Sequence, residues 1–278
     1  MPVTYHLQKI YPQTVSPQTL SSQKRHPQKA STQRPPIVLL NGWGMAVNVW
    51  DALIPILQQQ HNVIVMDVIY SEDADALCHT IHQELPKPCV LIGWSLGGML
   101  ATKIAALYPE SIVGLITLAS NAQFVADSDW PNAMPAETFE AFFQLFMSNP
   151  EKSLQRFSGL VVQGDQQRRE QKQYLQSLTE TAPRESRLSE LMAGLVLLRE
   201  IKNQAALENI HCPSLHCFGE NDALVPISVV DTIRSVCSQV QCQIIPESSH
   251  LLHAPVNRLE KLIMEFLTDA FTRQGESL

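Results

Sequence analysis

Short apolar runs alternate along most of this chain with stretches of helical spacing. Six runs read as strands: Ile37-Val38-Leu39-Leu40, Asn62 to Asp67, Cys89-Val90-Leu91-Ile92, Ile112 to Leu118, Ser214 to Phe218 and Gln241 to Ile245. Apolar residues at helical intervals predict helices over 46–59, 73–85, 96–107, 227–237 and 256–271. Strands that lack polar alternation and are separated by helices belong in a parallel sheet covered on both faces, which makes this an α/β protein.

The alternation stops in two places. Residues 1–35 are rich in Gln, Ser, Pro and Lys and poor in aliphatics, so they form a polar N-terminal extension with one edge strand near Val3–Leu7. Between Asn121 and Gln204 the strand signal disappears, and apolar residues recur at helical spacing, as in Phe139, Phe142, Phe143 and Phe146 and again in Leu188, Leu191, Leu195 and Leu198. An all-helical block between two strands of one sheet reads as a lid. The expected division is therefore an extension (1–35), a core (36–121 and 205–278) and a helical cap (122–204).

Composition narrows the function. At 278 residues and 45% hydrophobic content, the chain can bury a full core. Its formal charge of −7, with no long Lys/Arg block, argues against nucleic acid or an anionic membrane as a partner. No apolar run reaches the roughly 18 to 20 residues of a membrane span, and the N-terminus lacks a secretory apolar core, so a cytoplasmic protein is expected. The six cysteines form no CxxC pair and suit a reduced compartment. His211-Cys212 and His216-Cys217 flank and enter a strand, whose successive residues face opposite ways, so no metal site is expected there, and no cofactor elsewhere.

The chemistry concentrates after the third run. Gly93-Trp94-Ser95-Leu96-Gly97 fits G-x-S-x-G, a strained strand-to-helix turn that lifts a serine hydroxyl above the sheet. A hydroxyl becomes a useful nucleophile only when a base takes its proton and a third group orients that base. Asp222, in the loop after Ser214–Phe218, and His250, after Gln241–Ile245, supply these roles in the chain order expected for such a sheet. His253 is the rival base, expected at the start of the last helix, and Asp67 is the rival acid. Oxyanion donors are expected from the backbone N–H groups of Leu96 and Trp43.

With the elbow, the "GENDALVP" aspartate and the "SSH" histidine in place, the sequence resembles an α/β-hydrolase with a helical cap over roughly residues 36–272. Asn41-Gly42 stands where relatives usually carry His-Gly, and the Pro-Gly-x-Gly-x-Ser turn common after the second strand is missing. Within the superfamily the chain is similar to the pimeloyl-[acyl-carrier protein] methyl ester esterase family of biotin synthesis. Leu40 to Gly44, Trp94 before the serine, Ala119-Ser120-Asn121 with Asp129-Trp130-Pro131, and Gln155-Arg156-Phe157 carry that similarity.

The resemblance implies a serine carboxylesterase, working as a monomer, whose partner is an acyl-carrier protein bearing a pimeloyl methyl ester. Trp43, Trp94, Phe157 and Leu224 would line the acyl channel. Lys152, Arg156, Arg168, Arg169 and Lys172 would hold the carrier and its phosphate; against Glu151, Asp165 and Glu170 they give residues 151–172 a local charge of +2 in an acidic chain. A capped hydrolase of small free esters, a related lyase and a non-catalytic small-ligand receptor are the competing readings.

Overall fold

The computed structural model describes residues 34–178, 185–253 and 259–275. Most of the N-terminal extension, including the edge strand expected near Val3–Leu7, lies outside the described residues. All six expected strands form: β1 (Ile37–Leu40), β2 (Val63–Met66), β3 (Cys89–Trp94), β4 (Ile112–Leu118), β5 (Ser214–Gly219) and β6 (Gln241–Ile245). They make one sheet of order β2-β1-β3-β4-β5-β6 in which every pairing is parallel. Every residue of β1, β3 and β5 is buried, so side chains pointing to either side of the sheet are covered.

That order dictates where a site can lie. The chain steps from β1 outward to β2, then crosses to β3 on the other side of β1, so the connections leaving the carboxyl ends of β1 and β3 diverge. In open α/β sheets such a switch point opens a crevice at the strand ends. Here it falls between Leu40 and Trp94.

The helices are α1 (Ile54–Leu57), α2 (Ala74–Glu84), α3 (Leu96–Leu107), α4 (Ala136–Ser148), α5 (Pro150–Val161), α6 (Arg168–Leu178), α7 (Glu185–Glu200), α8 (Gln204–Glu208), α9 (Val229–Val236) and α10 (Leu259–Gly275). One helix expected over 46–59 is instead a 3₁₀ turn at Val47–Trp50 followed by the short α1. Pro55 explains the break: it has no N–H to continue a preceding helix but is well placed in a first turn. The last helix was expected from 256 and is described from Leu259; His253 sits in a turn before it.

Helices α4 to α7 lie between β4 and β5 and form the cap. The chain leaves the core and returns to it side by side, Gln123 bridging Lys202 in antiparallel fashion. Lys202 Nζ lies 2.6 Å from Asp127 Oδ2, which holds that carboxyl well below the usual range. Trp130, wholly buried, donates from its indole to Asn121 Oδ1 at 2.9 Å, so the Asp-Trp-Pro segment and the end of β4 close on each other. No helix among the described residues is long and apolar enough to cross a membrane.

His216 illustrates the cost of polar groups in this core. It faces Thr117 across the β4–β5 pairing, with Nδ1 2.8 Å from the threonine hydroxyl, while Nε2 has no partner among the described residues. Burial penalises its cation and lowers its pKa to about 4. The native state therefore stays neutral at this position while the unfolded chain binds a proton below about pH 6.5, so stability falls as pH drops from there toward 4. At pH 5 this histidine should remove on the order of 2 kcal/mol. Urea unfolding at pH 7.5 and pH 5 is expected to show a His216→Gln variant losing less stability than wild type by about that amount.

Candidate active site

Ser95 occupies the turn between β3 and α3 with φ 54° and ψ −121°, a conformation that L-residues with a side chain seldom adopt. Its neighbours show how the turn is held. A Cβ on Gly97 would lie 2.2 Å from Leu40 O, one on Gly93 2.4 Å from Gly97 O, and one on Gly98 2.5 Å from Ser120 Cβ. The glycines thus let the elbow press against the end of β1 and against Ser120, whose hydroxyl donates to Ser95 O at 2.9 Å. The Ser95 N–H donates to Leu118 O, tying the turn to β4 as well.

The loop after β1 comes up against the serine from the other side, since a Cβ on Gly42 would stand 3.1 Å from Ser95 Cβ. Asn41 is buried and donates from Nδ2 to Met45 O at 2.8 Å, which closes this loop. Two residues on, Trp43 donates from its indole to Leu191 O of α7 at 2.7 Å. Neither the Trp43 nor the Leu96 backbone N–H has an acceptor among the described residues. Both remain free for a developing oxyanion.

Asp222 and His250 meet as the chain order suggests. Asp222 Oδ2 lies 2.7 Å from His250 Nδ1, and both side chains are buried. The other carboxylate oxygen accepts the N–H groups of Leu224 (2.8 Å) and Val225 (3.0 Å), so the acid is fixed by its own loop. His250 Nε2 is buried with no partner among the described residues, and no hydrogen bond joins it to Ser95 in this structure. With Nδ1 committed to the carboxylate, Nε2 is the nitrogen left to accept a proton.

His253 does not compete for Asp222. Its ring stacks on Trp50 at 4.3 Å and meets Trp94 edge-on at 4.9 Å, with both nitrogens unpartnered among the described residues. Burial, reinforced by His250, lowers its pKa to about 3. Asp67 is exposed, and the carboxylate on the histidine is that of Asp222.

An apolar pocket opens beneath the cap, about 440 Å³ of space not filled by atoms and partly continuous with solvent. Trp43, Phe139, Phe142, Phe157, Leu224 and the side chain of Arg156 are among its lining. Three of the four residues expected to form an acyl channel are therefore there. Trp94 is not: its buried indole donates to His250 O at 2.9 Å, which makes it a prop for the histidine loop instead. Sequence reasoning missed Phe139 and Phe142 as pocket walls, because their spacing is equally that of a packed helix. Lys152, Arg156, Arg168, Arg169 and Lys172 are all exposed, and none forms an ion pair with a described residue.

Residues 35–254 match the model of the alpha/beta hydrolase fold family. The chain belongs to that family. Among curated proteins it is 36% identical over 228 residues to the biotin biosynthesis bifunctional protein BioHC of Cellvibrio japonicus, an alignment covering 79% of this chain and 45% of that one. The chain thus spans less than half the length of this relative. It is 31% identical over 226 residues to the pimeloyl-[acyl-carrier protein] methyl ester esterase of Vibrio campbellii, covering 78% of this chain and 88% of that one. Among solved structures, bromoperoxidase from Bacillus anthracis superimposes with a TM-score of 0.76 at 18% identity, covering 84% and 92% of the two chains. At that identity the likeness is one of fold.

The elbow yields a direct test. Gly97→Ala places a methyl group where Leu40 O already stands, and backbone cannot step aside as a flexible side chain can. The substitution should cost about 3 kcal/mol or more in thermal or urea unfolding. Gly159→Ala, where a Cβ would meet nothing within 4 Å, is the matched control and should leave stability unchanged or slightly raised.

Proposed function

We propose that this protein is a serine carboxylesterase that hydrolyses the methyl ester of pimeloyl-[acyl-carrier protein], releasing methanol and the free acid for biotin synthesis. The observation that carries the reading is the 2.7 Å contact between Asp222 and His250, whose second ring nitrogen has no partner among the described residues, in a chain whose strained elbow holds a serine. The names of its relatives supply the substrate class.

In this reading Ser95 Oγ attacks the ester carbonyl while its proton passes to His250 Nε2. Asp222 keeps the imidazole in the tautomer that accepts there and stabilises the imidazolium. The oxyanion receives the N–H groups of Leu96 and Trp43. Collapse of the tetrahedral intermediate breaks the bond to the methoxy oxygen, which takes the proton from His250 and leaves as methanol. Water, deprotonated by the same nitrogen, then opens the acyl-enzyme and restores Ser95.

The pocket beneath the cap suits the methylene chain of a pimeloyl group, since its walls are aromatic and aliphatic. Helices α5 and α6 carry the five unpaired cations, and we assign to them the acidic carrier and its phosphate-bearing arm. Arg156, which reaches the pocket, stands where that arm would enter. The cap spans 122–204 in this scheme, and the protein acts as a cytoplasmic monomer with no cofactor; the six free cysteines agree with a reduced compartment.

Replacement of Ser95 by Ala is expected to lower kcat on a pimeloyl methyl ester by at least about a thousandfold and to abolish labelling by a fluorophosphonate. The gene should restore growth without biotin to a strain lacking the esterase, and the Ser95→Ala gene should not. Raising salt from about 0.05 to 0.5 M should depress kcat/KM for the carrier-bound ester but not for the free short ester, because only the former is steered by charge. Equal salt response for the two would leave an esterase of small free esters.

A further inference from the structure

The loop that carries His250 is held from two sides, and one of them is the cap. On the core side, a Cβ at Gly219 would come 2.2 Å from Ser249 O, so β5 presses directly on the loop. Asn221 N–H donates to Ser248 O at 2.9 Å, and Glu247 N–H donates to Glu220 Oε2 at 2.9 Å. These contacts fix the histidine loop to the loop of Asp222.

On the other side stands the segment joining α5 to α6, far away in sequence. Asp165 Oδ2 accepts the Ser249 N–H at 3.1 Å and lies 3.3 Å from the Ser249 hydroxyl. That hydroxyl has one proton and a second acceptor, Gln171 Oε1 at 3.2 Å, whose amide nitrogen donates onward to Leu251 O at 3.3 Å. Gln166 N–H reaches Glu247 O at 3.2 Å. The residues immediately before and after His250 are therefore both bound by the cap, and Ser249 is completely buried between the two sides.

We propose that Asp165 is a positioning residue for the catalytic histidine: by gripping Ser249 it sets where the His250 ring stands, so the base is aligned only while the α5–α6 segment is seated. The inference rests on the proposed serine hydrolase chemistry. Nothing in that chemistry requires the cap to touch the base loop, because Asp222, Trp94 and Gly219 already reach it from the core. What the core contacts lack is a donor or acceptor for the Ser249 N–H and hydroxyl. A buried N–H left without a partner relaxes toward another one, and small displacements of a base are costly in proton transfer.

The test compares Asp165→Ala, which removes the acceptor, with Asp165→Asn, which keeps an oxygen able to accept the Ser249 N–H. Three quantities are read on purified full-length protein: kcat and KM on a short free methyl ester, the rate of fluorophosphonate labelling, and the thermal midpoint. The Ala variant should lose about tenfold in both kcat and labelling rate with KM little changed, and Asn should recover most of the loss. Recovery by Asn in a variant that melts like wild type separates alignment from simple unfolding. The proposal is overturned if Ala keeps wild-type kcat, if its loss lies in KM, or if Asn is as impaired as Ala. Absence of labelling in the wild-type protein would instead sink the serine hydrolase reading itself.

Discussion

A single crowded point organises this molecule: the contact between the backbone at Gly97 and the end of β1, where no atom beyond hydrogen fits. Because α3 must start there, the serine before it is driven into positive φ and its side chain away from the sheet. The same approach brings the loop after β1 against Ser95, where a Cβ on Gly42 would stand 3.1 Å from Ser95 Cβ. Strain at one residue, of order 1 to 3 kcal/mol, is sustained by the packing of three parallel strands whose every residue is buried or nearly so. Fold and site are therefore coupled, since a rim relaxed enough to spare Ser95 would no longer press the loop after β1 against the serine.

The cap is fastened to that rim through aromatic rings. Trp43 bonds to Leu191 O and meets the edges of Phe142, Phe146 and Phe157, the last at 4.9 Å. It can lie so close to α7 because position 194 is glycine; a Cβ there would stand 2.6 Å from the indole and 2.9 Å from the Tyr70 ring. A glycine inside a helix costs about 1 kcal/mol relative to alanine, and here it is offset by close packing of a tryptophan on two elements at once. One side chain thus walls the pocket and ties the loop after β1 to α7.

Most of this was readable from the residues in order. Strands buried on both faces leave unbroken apolar runs, so all six were legible, as were the elbow and the Asp222–His250 order, which depend on local turn chemistry. What was not legible required distant partners. The indole of Trp94 finds its acceptor 156 residues on, at His250 O, and Asp165 finds Ser249 84 residues away. No spacing rule reports such pairs. Phe139 and Phe142 failed for another reason: a helix that lines a pocket and one that fills a core present the same periodicity, and only the empty space between them tells which is which.

The second histidine of the loop shows the same economy in charge. His253 lies against Trp94, whose ring also stands 5.6 Å from that of His250, and its own ring is buried. Were it to carry a proton, it would oppose the imidazolium that the proposed mechanism forms at His250 while Ser95 is acylated. Burial forbids this at any pH near neutrality, holding its pKa near 3. Stacking on Trp50 supplies the apolar contact that keeps in place a ring whose two nitrogens have no partner among the described residues. A phenylalanine could fill the space, but a residue that charged more readily could not, so the constraint on position 253 is neutrality and shape together.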